Sequence, residues 1–152
     1  MIKKVYLDTS VLGGYFDAEF KDETKPFFDK LIKDKIKIIV SEILELELYK
    51  APDIIIDLYE SIPDELIKRV EITDEIKYLA DSYILEKVVG KTSRADCRHI
   101  AVATVHKVDV LASWNFKHIV NLERIKGYNA INFREGYQMT EIRTPNEIFD
   151  YE

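Results

Sequence analysis

At 152 residues the chain is sized for one domain with one core, and no repeat or linker divides it. Its 47% hydrophobic and 33% charged residues are ordinary for a globular protein, and a net charge of -6 argues against a broad basic surface that grips nucleic acid by phosphate neutralisation alone. Apolar runs such as "IIV" and "III" fall far short of the roughly 20 residues that cross a bilayer, and the single Cys97 excludes an internal disulfide or a multi-thiolate metal site. Together with an opening, "MIKKVYLDTS", that lacks a secretory leader pattern, these features predict one domain over 1–152, no membrane and a cytoplasmic, reducing location.

In chain order, "IKKVYL" predicts a first strand that runs directly into Asp8. Gly13 and Gly14 loosen the backbone after "DTSVL", and "PFFDKLIKDK" predicts a helix opened by Pro26. "IKIIV" is a near-continuous apolar run, as expected of a strand covered on both faces. Ser41 is placed to cap a helix that runs to about Lys50 and stops before Pro52. A helical stretch "DIIIDLYESI" and a short third strand "KRVEI" follow. Ile76, Leu79, Ala80, Tyr83 and Ile84 recur at helical spacing in a segment closed by Gly90. Ser93 then caps "RADCRHIAVATVHK", "VDVLAS" is a fourth strand, and "YNAINF" predicts a fifth. The ending "MTEIRTPNEIFDYE" is less periodic and carries no assignment. Strands alternating with helices imply right-handed crossovers and a parallel sheet covered on both faces. Ligands of such sheets bind beyond the carboxyl ends of the strands.

Three carboxylates stand out against that frame. Asp8 follows the first strand directly, where it serves either as a turn residue or as a ligand. Rotated at about 100° per residue, the helix after Ser41 places Glu47 within the apolar arc of Ile43, Leu44, Leu46 and Leu48. A charge there needs a partner, either a basic side chain or a metal ion. Asp96 stands three residues after Ser93, as in a capping box, yet it also lies on the side of Ile100 and Ala103, opposite Arg98. Three converging carboxylates repel one another, and a hard divalent cation such as Mg²⁺ relieves that repulsion through oxygen ligands. His99, His106 and His118 have no ligand spacing among themselves, and the first two are expected on the outer side of their helix. "GKTS" lacks the upstream glycine and the strand of a phosphate-binding loop.

The order "VYLDTSVL", "IIVSEILELEL", "ADCRHIAVATVHKVDVLASWNF" resembles the PIN-domain family, small α/β ribonucleases of which many are the toxin half of a toxin–antitoxin pair. The resemblance spans Val5 to Phe116, leaving 117–152 as a C-terminal strand and tail. It implies a three-layer fold around a mostly parallel sheet of four to five strands. It also implies that Asp8, Glu47 and Asp96 are the catalytic and metal-binding set, holding Mg²⁺ or Mn²⁺. Where many members carry a further Asp, this chain has Asn115, whose carbonyl would either accept from a metal-bound water or bind the metal weakly, unless the residue simply makes the turn after the strand.

The expected reaction is metal-dependent hydrolysis of RNA phosphodiester bonds. Thr9 or Ser10 would hydrogen-bond a carboxylate or the phosphate; Arg94, Arg98, Lys117 and His118 would contact the RNA backbone. Trp114 or Tyr15 would stack on bases, unless Trp114 is core. A cognate antitoxin and a homodimer are implied by the resemblance alone. Two rivals remain at this level. A catalytically weak or inactive RNA- or protein-binding module is motivated by Asn115. A phosphatase with Asp8 as nucleophile is disfavoured because Ser10 stands where haloacid-dehalogenase-like phosphatases have a second Asp.

Overall fold

The computed structural model describes residues 1–89 and 94–151 and forms a single five-stranded, all-parallel sheet. The strands are β1 (Lys4–Leu7), β2 (Lys37–Ser41), β3 (Ile67–Val70), β4 (Val110–Ala112) and β5 (Ile142–Arg143), in the order β3-β2-β1-β4-β5. Alternation of side chains along each strand builds two cores. Tyr6, Ile39 and Leu111 point to one face and pack under α5 (Asp74–Leu85), α6 (Arg94–Val105) and α7 (Leu122–Arg134). Val5, Leu7, Ile38, Val40, Val110 and Ala112 point to the other. There they meet α1 (Thr9–Gly14), α2 (Lys21–Lys33), α3 (Glu42–Leu48) and the half-exposed α4 (Asp53–Ser61). The central strands are buried on both sides, which is why they read as unbroken apolar runs. The expected three-layer α/β architecture is the one observed.

The chain moves outward from β1 to β2 and β3, then returns to add β4 and β5 on the opposite side. The strand order therefore reverses between β1 and β4, the place where parallel sheets open a crevice for ligands. Pairing of Leu7 with Ala112 brings Asp8 level with Ser113 at that crevice. The amide of Asp8 donates to the Ala112 carbonyl at 3.2 Å and locks the alignment.

Several expectations need correcting. "YNAINF" is part of α7, and the fifth strand is the two-residue β5 in the segment left unassigned, so 117–152 holds a helix as well as a strand and tail. The buried residues Tyr128 and Ile131, and Asn129 and Asn132, recur three apart, and Asn121 caps the helix by accepting from the Arg124 amide. Two buried asparagines concealed that period. They are held in a polar network in which Asn129 exchanges hydrogen bonds with the backbone of Thr140, while Asn132 donates to Thr104 and Asn129 and accepts from Tyr83. Pro26 lies inside α2, which begins at Lys21, and Gly13 and Gly14 belong to α1. Gly14 is needed for contact: a Cβ there would come within 2.6 Å of the Trp114 ring. Gly90 and Ser93, expected to end one helix and cap the next, lie outside the described residues together with the rest of "GKTS".

Candidate active site

Asp8 stands at the carboxyl end of β1 and is 4% exposed. It occupies the N-cap position of α1, but its side chain makes no capping bond. Its Oδ2 instead accepts from Ser10 Oγ at 2.8 Å and from Ser113 Oγ at 2.5 Å. Each serine is itself fixed by backbone, since Ser10 Oγ accepts from the Trp114 amide and Ser113 Oγ from the Asn115 amide, both at 2.9 Å. The strand ends of β1 and β4 thus hold one carboxylate in a set orientation, with Ser10 as one of its two donors.

Glu47 is the second carboxylate, and its setting differs from the expected one. Ile43, Leu44 and Leu48 are buried, whereas Leu46 is exposed and the Glu47 side chain is 42% exposed. At this height the inner face of α3 opens onto a groove of about 430 Å³ between α3 and α6, with Arg94 and Arg98 on the opposite wall. The partner that Glu47 requires is a histidine. Its Oε1 accepts from Thr9 Oγ1 and bonds His99 Nε2, each at 2.9 Å. Burial pushes the Glu47 carboxyl up, but the His99 bond and charge, with the Thr9 bond, hold it below the usual carboxylate value.

His99 is the residue that sequence reasoning placed wrongly. It is 1% exposed, not on an outer face. Cys97 and the whole run from His99 to Thr104 are buried, so α6 has no solvent side at this position. The stretch "IAVATV" carried that signal, because a helix apolar nearly all round leaves no outer face for a histidine. Its Nε2 also stands 3.7 Å from Asp8 Oδ1, and its Nδ1 is 2.5 Å from the Tyr6 hydroxyl. Tyr6 bonds Ser41 Oγ at 2.9 Å, which is why Ser41 occupies the N-cap of α3 without capping it through its side chain. Burial alone would lower the His99 imidazole; the Glu47 bond and the charges of Asp8, Glu47 and Asp96 outweigh it and raise the group above its ordinary value.

Asp96, in the first turn of α6, is half-buried. Its carboxyl is raised, first by burial and then by the negative charge of Asp8, against the opposing influence of His99, His118 and a side-chain bond from Asn115. Asn115 makes the turn after β4. Its carbonyl accepts from the amides of Ile119 and Val120, and its Oδ1 accepts from the His118 amide at 3.0 Å. Trp114 is core: buried, stacked on Phe20 at 4.4 Å and donating from Nε1 to Thr24. Tyr15 is half-buried against Phe16 and Phe28. Of the basic candidates, Lys117 is exposed and Arg94 is paired with Asp81 at 2.8 Å. Arg98 Nε and His118 Nδ1 are, among the described residues, buried side-chain nitrogens without a hydrogen-bond partner.

No three His, Cys, Asp or Glu side chains among the described residues converge closely enough to enclose a metal ion between them. The donor chemistry nevertheless fits a hard cation approaching from the crevice. Asp8 and Asp96 offer carboxylate oxygens of the kind a divalent ion takes, and the Asp96 group is raised first by burial and then by the Asp8 charge.

No family model and no curated protein matches this chain. Solved structures do. VapBC2 from Rickettsia felis, bound to a DNA fragment from their promoter, is 14% identical with a TM-score of 0.56, over 93% of this chain and 98% of that one. FitAcB from Neisseria gonorrhoeae is 16% identical with a TM-score of 0.58, over 93% and 97%. Mycobacterium tuberculosis VapC20, described as a Sarcin-Ricin loop cleaving toxin, is 12% identical with a TM-score of 0.55, over 74% and 91%. At such identities the likeness is one of fold.

Proposed function

Because the chain has the PIN-like fold, we propose that it is a divalent-metal-dependent endoribonuclease and the toxin of a toxin–antitoxin pair. The observation that carries this reading is the pair Asp8 and Asp96. They come from separate elements: Asp8 stands at the end of β1 beside the switch point of the sheet, and its charge adds to burial in raising the Asp96 carboxyl. Asp8 and Asp96 would hold Mg²⁺ or Mn²⁺, with Glu47 across His99 as the third carboxylate. Such an ion, when bound, supplies an acidified water and stabilises charge on the phosphate. Ser10 and Ser113 keep Asp8 in one orientation, so the site needs little rearrangement on binding.

Arg94 and Arg98 on the groove side, and Lys117 and His118 on the Asn115 side, are the proposed phosphate contacts. In a chain of net charge -6 such local cations must guide RNA to an acidic centre. The VapC20 likeness supports RNA as substrate, and the VapBC2 likeness supports a cognate antitoxin. Pairing of two copies is part of the same proposal.

The binding-module reading keeps one supporting observation, Asn115, which leaves the centre one carboxylate short. The phosphatase reading loses ground. Ser10 stands where a second Asp would be needed, and its hydroxyl, which donates to Asp8 Oδ2, is no substitute for a carboxyl acid–base group. The test is cleavage of a pool of structured and single-stranded RNAs with Mg²⁺, Mn²⁺ or EDTA, beside Asp8→Asn protein prepared identically. Cleavage that needs metal and falls at least about 100-fold in Asp8→Asn is expected. Equal cleavage by both proteins would overturn the reading.

A further inference from the structure

Glu47 presents a mechanical problem. It stands at the end of a seven-residue helix with its side chain 42% exposed, free on one side to turn into the groove. A glutamate in that setting samples several rotamers, and fixing one costs side-chain entropy. Yet its Oε1 is clamped by two donors, Thr9 Oγ1 and His99 Nε2. His99 is in turn held from behind. Its Nδ1 meets the Tyr6 hydroxyl at 2.5 Å, and that hydroxyl bonds Ser41 Oγ at 2.9 Å. Tyr6 and Ser41 belong to β1 and β2, both fully buried at these positions. A continuous line of hydrogen bonds therefore runs from two sheet strands through one imidazole to a carboxylate on the rim. The same Nε2 stands 3.7 Å from Asp8 Oδ1, so the imidazole sets the spacing between the two acidic groups.

We infer that His99 is a positioning residue for this centre: anchored to the sheet through Tyr6 and Ser41, its Nε2 fixes Glu47 relative to Asp8. The inference rests on the nuclease reading above and assigns a role to a side chain that the reading does not use. His99 touches neither phosphate nor water in this scheme; it acts through Glu47. Thr9 supplies the second arm of the clamp, so removing either arm leaves Glu47 partly held.

A double-mutant cycle separates this role from plain packing. His99→Asn keeps a polar group near Tyr6 but cannot reach Glu47, whereas His99→Gln can still donate to Glu47. His99→Asn is expected to lower kcat about 10- to 100-fold with KM within about 3-fold, and His99→Gln to recover most of that loss. In a Glu47→Ala background, His99→Asn should change kcat by less than about 2-fold, because the two act as a unit. Mn²⁺ affinity measured by calorimetry should follow the same non-additive pattern. Should His99→Asn lose its fold by circular dichroism, Tyr6→Phe takes its place in the cycle with the same expectation. Losses that multiply in the double variant, or a Gln variant no better than Asn, would overturn the inference while leaving the nuclease reading intact. A wild-type protein that neither cleaves RNA nor binds Mn²⁺ would overturn both.

Discussion

Asp8 is held by donors that are all local to two strand ends, and Ser113 provides the shortest of those bonds, 2.5 Å to Oδ2 in a buried setting. Ser113→Ala leaves a buried carboxylate short of one charge-assisted bond, so unfolding by urea should show a loss of about 1–3 kcal/mol. An unchanged midpoint would mean that water replaces the serine at no cost. Asn115 tests the acidic pair from the other side. Asn115→Asp replaces an amide that helps to lower the Asp96 carboxyl with a further negative charge. Without divalent ions the variant should melt below the wild type, and Mn²⁺ should raise its melting temperature by more than it raises the wild type's. Equal shifts in both proteins would place the ion away from Asp96. Asp8 and Asp96 drew attention as a strand-end "DTS" and an Asp opening an apolar helix, although each position also suits a turn or capping residue. His99 did not. Its burial depends on α6 being enclosed on nearly every side, and its partner Tyr6 comes from a strand 93 positions away in sequence.

At the scale of elements, the same contrast between local and distant causes decides what could be read. Strands β1, β2 and β4 announce themselves because both faces are buried beyond the entering Lys4 and Lys37, and the residues there are apolar except Ser41 at the end of β2. β5 has two residues and no pattern of its own; it exists because β4 offers it an edge. α7 hides its period behind Asn129 and Asn132, whose burial is affordable only because Thr104, Thr140 and Tyr83 satisfy their amides. The packing of α1 depends on Gly14, whose missing side chain admits the Trp114 ring. Gly14→Ala should therefore destabilise by about 1–3 kcal/mol through overpacking, despite the better helix propensity of alanine, and should alter the emission of this sole tryptophan. A stabilised variant with unchanged emission would show that the ring moves aside freely. The β1–β4 edge carries a pH-sensitive tie. Burial pushes Asp109 up, but the amides of Lys3 and Lys4, at 2.7 and 2.8 Å, and the Lys4 charge hold it below its ordinary value of 3.8. A lowered group stabilises the fold above that ordinary value and loses the contribution as pH falls through its folded value. Asp109→Asn should thus be less stable than wild type at neutral pH, and the gap in urea midpoint should shrink as the pH falls below 3.8. A gap independent of pH would remove charge from the explanation.

The whole molecule joins these parts through one topological fact: the sheet reverses its strand order between β1 and β4, and Asp8 stands at the end of β1 beside that opening. The architecture follows from alternating strand and helix patterns, so the three-layer fold was readable from the sequence. The spacing of charges within the site was not, because a helical wheel gives an angle and no depth, and Glu47 lies on the inner face of α3 where that face meets a groove. No helix among the described residues is long and apolar enough to cross a membrane. The central claim is that Asp8 and Asp96 form a cation-dependent centre that cuts RNA. Its most direct test is the rate of RNA cleavage as a function of Mn²⁺ concentration for the wild type and Asp96→Asn. The account predicts a saturable dependence abolished by EDTA, with half-saturation moved at least about 10-fold higher in Asp96→Asn. Cleavage that ignores both EDTA and the substitution would contradict it.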